Sequence, residues 1–241
     1  MQDAIVIIPT FNEIENIEAI IRATFSLEKQ FHILVVDDNS PDLTALKVKE
    51  LQKEFKEQLF LEVRKEKSGL GTAYIHGFKW CLEKGYNYIF EMDADFSHNP
   101  NDLPRLYNAC HVDGAHMSIG SRYVKGVNVV NWPMSRVLLS YLASKYVRVI
   151  TGMKIHDTTA GFVCYKRAVL ESIDLDNVKF VGYAFQIEMK FKAYFQKFKI
   201  IEIPVIFTDR TKGESKLSGG IISEAIFGVI TMKFKSLFRK R

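Results

Sequence analysis

Cysteine is scarce and unpaired: Cys81, Cys110 and Cys164 are the only 3 in 241 residues, widely spaced and without a CxxC. An odd, scattered set gives no basis for a disulfide framework or a zinc site, and buried thiols in a reducing compartment are the expectation. The 6 histidines are scattered too, with no HExxH spacing. No stretch approaches the roughly 18 consecutive apolar residues of a membrane span, and the chain opens on a strand pattern rather than a signal peptide. Internal repeats, low-complexity tracts and Pro/Gly linkers are missing, which argues for one large domain in the cytosol or on the cytoplasmic face of a membrane. The net charge is only +5, with lysines and glutamates interleaved. No basic stripe with interleaved aromatics precedes the last residues, so no nucleic-acid partner is expected.

What is present is a core-forming composition, 47% hydrophobic, arranged as alternating strand and helix patterns. Residues 4–8 read as an apolar strand ending at Pro9. Asn12, with Glu15 three residues on, is the expected cap of a helix whose apolar face is Ile14, Ile17 and Ile21. Residues 33–36 form a second strand ending in Asp37 and Asp38. Ser40 and Pro41 can start a helix with Val48, Leu51 and Phe55 as its buried stripe. A strand over 59–63, a helix over 71–83, a strand before Asp93, a helix from about 101 to 110 and a strand near 116–119 follow. This alternation predicts an α/β fold with a mostly parallel central sheet and helices on both faces. Ligands of such sheets bind beyond the carboxyl ends of the strands. Thr10 to Glu13, Asp37 and Asp38, Asp93 to Ser97, and Ser121 and Arg122 all follow strands in that sense.

The most informative stretch is YIFEMDADFSHNP at 88–100. Tyr88, Ile89, Phe90 and Met92 are bulky and β-favouring, and the chain turns acidic at once with Asp93 and Asp95. Two carboxylates two residues apart at a strand end can face one spot, where keeping both ionised is costly unless a cation joins them. Hard oxygens suit Mg²⁺ or Mn²⁺ shared with a phosphate ligand. The other reading is a pair of acids capping the next helix from a solvated loop. Lys67 to Thr72 has neither GxxxxGK[ST] nor GxGxxG, so it is neither a P-loop nor a dinucleotide fingerprint.

Taken together, PTFNE at 9–13, DDNSPD at 37–42, GLGTAYIHGF at 69–78, MDADFSHNP at 92–100 and GSRYVKG at 120–126 resemble the inverting GT-A glycosyltransferases of family 2. The likeness is to the polyprenyl (dolichyl) phosphate mannosyltransferase branch. NWPMSR at 131–136, DTTAGF at 157–162 and DRTKGESK at 209–216 extend it almost to the end of the chain. The resemblance implies a GT-A catalytic domain over 1–219, a nucleotide-sugar donor and a divalent cation, Mg²⁺ or Mn²⁺. It implies that Pro9, Phe11, Glu13, Val36 and Asp38 hold the nucleoside, with Asp93, Ala94, Asp95, Arg122, Arg210 and Lys216 also in the donor site. It makes Asp93 and Asp95 the metal carboxylates, with Ser97 as a further ligand or as the cap of the next helix. It sets Asp95, Arg122, Arg136 and Arg210 at the reacting groups. Phe11 stands where relatives often have Tyr, so one hydroxyl is missing, and a core aromatic is its other reading. Leu43 departs from the small or basic residue common after SPD.

The implied reaction is transfer of mannose from GDP-mannose to a polyprenyl phosphate, with UDP-glucose as the alternative donor and a non-catalytic nucleotide- or lipid-binding relative as the alternative class. A lipid acceptor calls for a membrane surface. Ile221, Ile222, Ile226, Phe227, Ile230, Phe234 and Phe238 recur at helical spacing among Lys233, Lys235, Arg239, Lys240 and Arg241. Residues 220–241 therefore read as a basic amphipathic helix, lying on anionic lipid or packed on the domain. Residues 134–150, with Leu138, Leu139, Leu142 and Tyr146, are a second candidate. The chain is expected to be peripheral or held by a separate membrane subunit.

Overall fold

The unbroken apolar run from Ala4 to Ile8 suits a strand buried on both faces, and in the computed structural model these five residues are wholly shielded within β1 (Ala4–Thr10). The strand continues through Pro9 instead of ending there. Pairing with β4 (Tyr88–Glu91) stops at Ile7, so Pro9 has β2 (His32–Asp37) on one side only, a position where a missing N–H is tolerated. The structure describes residues 3–209 and 228–236.

The central sheet has 7 strands in the order β3-β2-β1-β4-β7-β5-β8, with β3 at Leu59–Val63, β5 at Met117–Ser121, β7 at Val163–Lys166 and β8 at Ile200–Pro204. All neighbours are parallel except at β7, which runs antiparallel to both β4 and β5. Because β7 reverses direction twice over, β5 points the same way as β1, β2 and β4. Two short strands, β6 (Val129–Val130) and β9 (Phe207–Thr208), pair beside the sheet.

Alternate residues face opposite sides. Ile5, Ile7, Leu34, Val36 and Ile89 face α3 (Leu70–Glu83) and α7 (Tyr183–Phe195). Ala4, Val6, Ile8, Ile33, Val35 and Phe90 face α1 (Ile17–Phe25), α2 (Thr44–Leu51) and α4 (Leu103–His111). The glycines of GLGTAYIHGF serve this packing: a Cβ on Gly77 would come within 2.9 Å of Ile7, and one on Gly71 within 2.9 Å of the Phe185 ring. Cys81, Cys110 and Cys164 are free and buried, as expected.

The first helix differs from its sequence reading. Asn12 has a positive φ of 57° and is not the cap; α1 begins at Ile17, after Asn16, and Ile14 remains outside it. The next helix starts at Thr44, not at Ser40 and Pro41. Both shifts accompany one set of contacts: the side chains of Ser40, Thr44 and Asp42 accept from the backbone N–H groups of Asn12, Glu13 and Ile14. Two more helices, α5 (Met134–Thr151) and α6 (Arg167–Ser172), complete the numbered set, and residues 228–236 are also helical.

Candidate functional site

The carboxyl ends of β1, β2, β4 and β5 share one edge, and the four polar stretches lie along it. The β1 and β2 ends are stitched together by Asp37, which accepts from Thr10 Oγ1 at 2.7 Å, Ser40 N at 2.8 Å and Ser40 Oγ at 2.7 Å. Asp42 accepts from Ile14 N and Thr44 N, each at 3.0 Å, while Thr44 Oγ1 accepts from Glu13 N at 3.0 Å. Burial pushes the Asp42 carboxyl up, but the hydrogen bonds from Thr44 and Ile14 outweigh it and hold the group below the usual range. DDNSPD is thus a clamp on the PTFNE loop. Between its parts Leu43 takes a left-handed conformation, φ 71°, and the residue is 62% exposed.

Within this cradle Phe11 is half-buried and belongs to neither core cluster, so it is not a core aromatic. Lys67 Nζ lies 4.4 Å from its ring centroid. Glu13 is buried and accepts from Asn16 Nδ2 at 3.0 Å. Asp38 is held by Arg64 Nε at 2.6 Å, and Arg64 Nη1 bonds Thr72 Oγ1 at 2.8 Å. Sequence reading missed Arg64; its signal is a cation directly after β3, beside the end of β2. Pro9 is half-buried, whereas Val36 is wholly inside the core and can offer a ligand only its backbone.

After β4 the chain folds into a tight turn. Asp93 N–H donates to His98 Nδ1 at 3.0 Å, and Asp95 Oδ1 accepts from Ser97 N at 3.0 Å. His98 is buried and stacks on Phe162 at 4.9 Å. Burial drives its pKa down to about 4, so the ring is neutral near pH 7. Since Nδ1 accepts, the proton sits on Nε2. Asp93 is 38% exposed at its side chain, while Asp95 and Ala94 are buried. The Ser97 hydroxyl is buried without a hydrogen-bond partner, and the following turn is capped by Asn99, which accepts from Asn101 N. Ser97 is therefore not the cap. Two carboxylates and an orphaned hydroxyl at one turn form a hard-oxygen donor set that fits Mg²⁺ or Mn²⁺. Among the described residues no group of three or more His, Cys, Asp or Glu could hold a metal alone, so further oxygens would have to come from a ligand.

The opposite wall is cationic and aromatic. Arg122 is 7% exposed; its Nε and Nη2 bond Asp157 at 2.7 and 2.6 Å, and Nη2 also reaches Thr159 Oγ1 at 2.9 Å. The rings of Tyr123, Trp132 and Phe207 surround the guanidinium at 5.3 to 5.5 Å. Burial pushes Asp157 up, yet the Arg122 charge and hydrogen bonds prevail and keep its carboxyl below the usual range. Glu202 Oε1 braces the same loop by accepting from Asp157 N at 2.9 Å. Arg136 lies over Trp132 at 4.1 Å and pairs with Asp209 at 2.7 Å. Both arginines, expected as counter-charges for a ligand, already have carboxylate partners. Arg210 and Lys216 lie outside the described residues. Asp157 and Trp132 lay in motifs quoted from the sequence, but their roles required the distances.

The family model described as "Glycosyl transferase family 2" matches residues 5–174. Polyprenol monophosphomannose synthase from Mycolicibacterium smegmatis is 47% identical over 228 residues, covering 95% of this chain and 86% of that protein. Undecaprenyl-phosphate mannosyltransferase from Micrococcus luteus is 44% identical over 223 residues, 92% of this chain and 90% of the relative. Among solved structures, glucosyl-3-phosphoglycerate synthase from Mycobacterium tuberculosis, in complex with Mn²⁺, UDP-glucose and phosphoglyceric acid, superposes with a TM-score of 0.69 at 16% identity. That match covers 96% of this chain and 79% of that one. At that identity the likeness is one of fold, the GT-A fold.

Proposed function

The chain belongs to glycosyl transferase family 2, and on that premise we propose that it moves mannose from GDP-mannose to a polyprenyl phosphate with inversion at the anomeric carbon. The observation that carries this reading is the pairing, across one sheet edge, of the Asp93/Asp95/Ser97 oxygens with the Arg122, Trp132 and Arg136 wall. The names of the two relatives support the same acceptor class and sugar.

The chemistry follows from charge. A polyprenyl phosphate is largely dianionic near neutral pH, since the second pKa of a phosphomonoester is about 6, so its oxygen attacks without a strong general base. The new bond joins that oxygen to C1 of the sugar as the C1 bond to the diphosphate breaks, and the electron pair leaves with GDP. Phe11 offers a face for the base, and Glu13 and Asp38 accept from base or ribose donors. Asp93, Asp95 and Ser97 would hold the divalent cation, which when bound supplies Lewis-acid neutralisation of the leaving diphosphate. Arg122 and Arg136 direct N–H groups and partial positive charge at the acceptor phosphate, with their orientation preset by Asp157 and Asp209. Arg210 and Lys216 are assigned to closure over the donor.

Approach to the lipid is assigned to α5 and to residues 220–241, of which 220–227 and 237–241 lie outside the described residues. On α5, Met134, Leu138, Leu139, Leu142 and Val149 are each more than half exposed, and only Ser144, Val147 and Thr151 are buried. Residues 228–236 bury Val229 in the core while Ile230 and Phe234 remain exposed. Among the described residues no helix is long and apolar enough to cross a membrane. The reading is therefore peripheral docking on a cytoplasmic face, with 1–219 catalytic and 220–241 contributing to docking, alone or beside a separate membrane subunit. Incubation with GDP-mannose or UDP-glucose, a divalent cation and a polyprenyl phosphate, followed by mass analysis of the lipid, tests it. Polyprenyl phosphate hexose formed from GDP-mannose alone is expected. Transfer from UDP-glucose alone would reassign the donor, and no transfer would make the chain a binding relative.

A further inference from the structure

Directly beneath the carboxylate edge, two ionisable side chains are buried beside the apolar cluster under α3 and α7. Glu91, the last residue of β4, is wholly shielded, pairs along the sheet with Ile7 and Val163, and has neither carboxylate oxygen hydrogen-bonded. Tyr165, whose backbone pairs with Ile89, lies on the same sheet face, and both it and Gln186 of α7 flank the carboxyl. Lys190, one turn further along α7, is equally buried and donates to Ala160 O at 2.6 Å, Gln186 O at 3.3 Å and Gln186 Oε1 at 3.2 Å. Burial pushes the Glu91 carboxyl up and the Lys190 ammonium down, each opposed by the charge of the other.

Ala160 sits in the stretch that serves the reaction wall. Asp157 at its start binds Arg122, and Phe162 at its end stacks on His98 and accepts from Gly120 N at 2.8 Å. A Cβ on Gly161 would lie 3.6 Å from His98 and 3.7 Å from Gln186, so α7 and the metal turn meet this stretch from two sides. Apolar side chains of the same volume would fill the space without the cost of desolvating two ionisable groups, so stability alone does not account for them. We propose that Lys190 is a positioning residue: through its bond to Ala160 O, its ammonium holds the 157–162 stretch, and with it Arg122, in register with the strand end bearing Asp93 and Asp95. The catalytic part of this inference rests on the transferase reading above.

The test is a double-substitution cycle with Lys190→Met and Glu91→Met, which keep side-chain volume. Catalysis is read as kcat against KM well below the melting temperature. Packing at Arg122 is read as Trp132 emission in a Trp80→Phe background, since these are the only 2 tryptophans. Lys190→Met is expected to lower kcat at least about tenfold, leave both KM values within about threefold, and shift Trp132 emission. The double variant also lacks the ammonium, so it is expected to recover neither kcat nor the wild-type emission. A kcat within about threefold of wild type in Lys190→Met, or recovery of kcat and emission in the double variant, would overturn the proposal. If Lys190→Met does not fold, the double variant decides: a folded protein with lowered kcat and shifted Trp132 emission supports the positioning role, and one with wild-type emission, or one that does not fold, refutes it. The emission arm needs no turnover, so a failed transferase reading and a failed positioning role give different results.

Discussion

The two halves of the site edge hold their functional groups by opposite means. At β1, β2 and β4 the carboxylates are positioned by uncharged donors for the most part: Thr10 and Ser40 on Asp37, Thr44 and Ile14 N–H on Asp42, Ser97 N–H on Asp95. At β5 and beyond, the cations are positioned by carboxylates and rings: Arg122 by Asp157 within three aromatics, Arg136 by Asp209 on Trp132. In the proposed reaction the first arrangement faces a divalent cation and the donor groups of a nucleoside. The second cancels most of the net charge of its cations, so in the proposed reaction it aims a ligand's phosphate more than it attracts it from afar.

The largest effect should come from removing one acid at the first wall. Asp95→Asn is expected to lower kcat about a thousandfold or more, equivalent to about 4 kcal/mol or more of lost charge stabilisation, and to abolish Mn²⁺ binding seen by EPR. The melting temperature should stay within a few degrees. Full turnover in excess chelator would dissolve the contrast between the walls.

At the second wall the acids are structural. Asp157→Asn strands the buried Arg122 and is expected to cost about 3–5 kcal/mol, roughly 10 °C in Tm, whereas Asp209→Asn, at a pair about one-quarter exposed, should cost under about 1 kcal/mol. Equal losses in a calorimetric scan would show that burial does not separate the two pairs.

A surface comparison gives a smaller signal. Leu138→Glu with Leu142→Glu on α5 should release the protein from anionic vesicles in a sedimentation assay while changing stability by no more than about 0.5 kcal/mol. Leu43→Glu, equally exposed but on the donor side, should leave vesicle binding unchanged. If both variants behave alike, α5 is no special face.

The smallest effect lies at the start of β2, away from the edge. Burial holds the His32 pKa below its ordinary value, so the unfolded chain binds the proton more readily and stability rises with pH through about 6.5. His32→Gln should flatten that part of a Tm profile measured from pH 5 to 8, and an unchanged slope would exclude His32 as its source.

Much of the first wall was legible in the sequence because its elements are local. Residues 59–63 were read as a strand and form one, and Asp37, Asp38, Asp93 and Asp95 follow strands within a few residues of chain. The second half was less legible. β7 is only VCYK, four residues without a distinctive pattern, yet it reverses direction between β4 and β5. Asn12 was misread as a cap because its true constraint, Ser40 Oγ accepting its N–H at 3.0 Å, comes from 28 residues away.

By itself, the sequence determined the α/β class, the strand ends that carry acid, and the family, since periodicity and short motifs are properties of neighbouring residues. Only the tertiary structure decided that Arg122 is paired with Asp157 from 35 residues on, that Ser97 is an orphaned hydroxyl and Asn99 the cap, and that Lys190 is buried and donates to Ala160 O. The reason is electrostatic. What a charge does depends on its burial and on the sign of what folds against it, and both are set by contacts between segments remote in the chain.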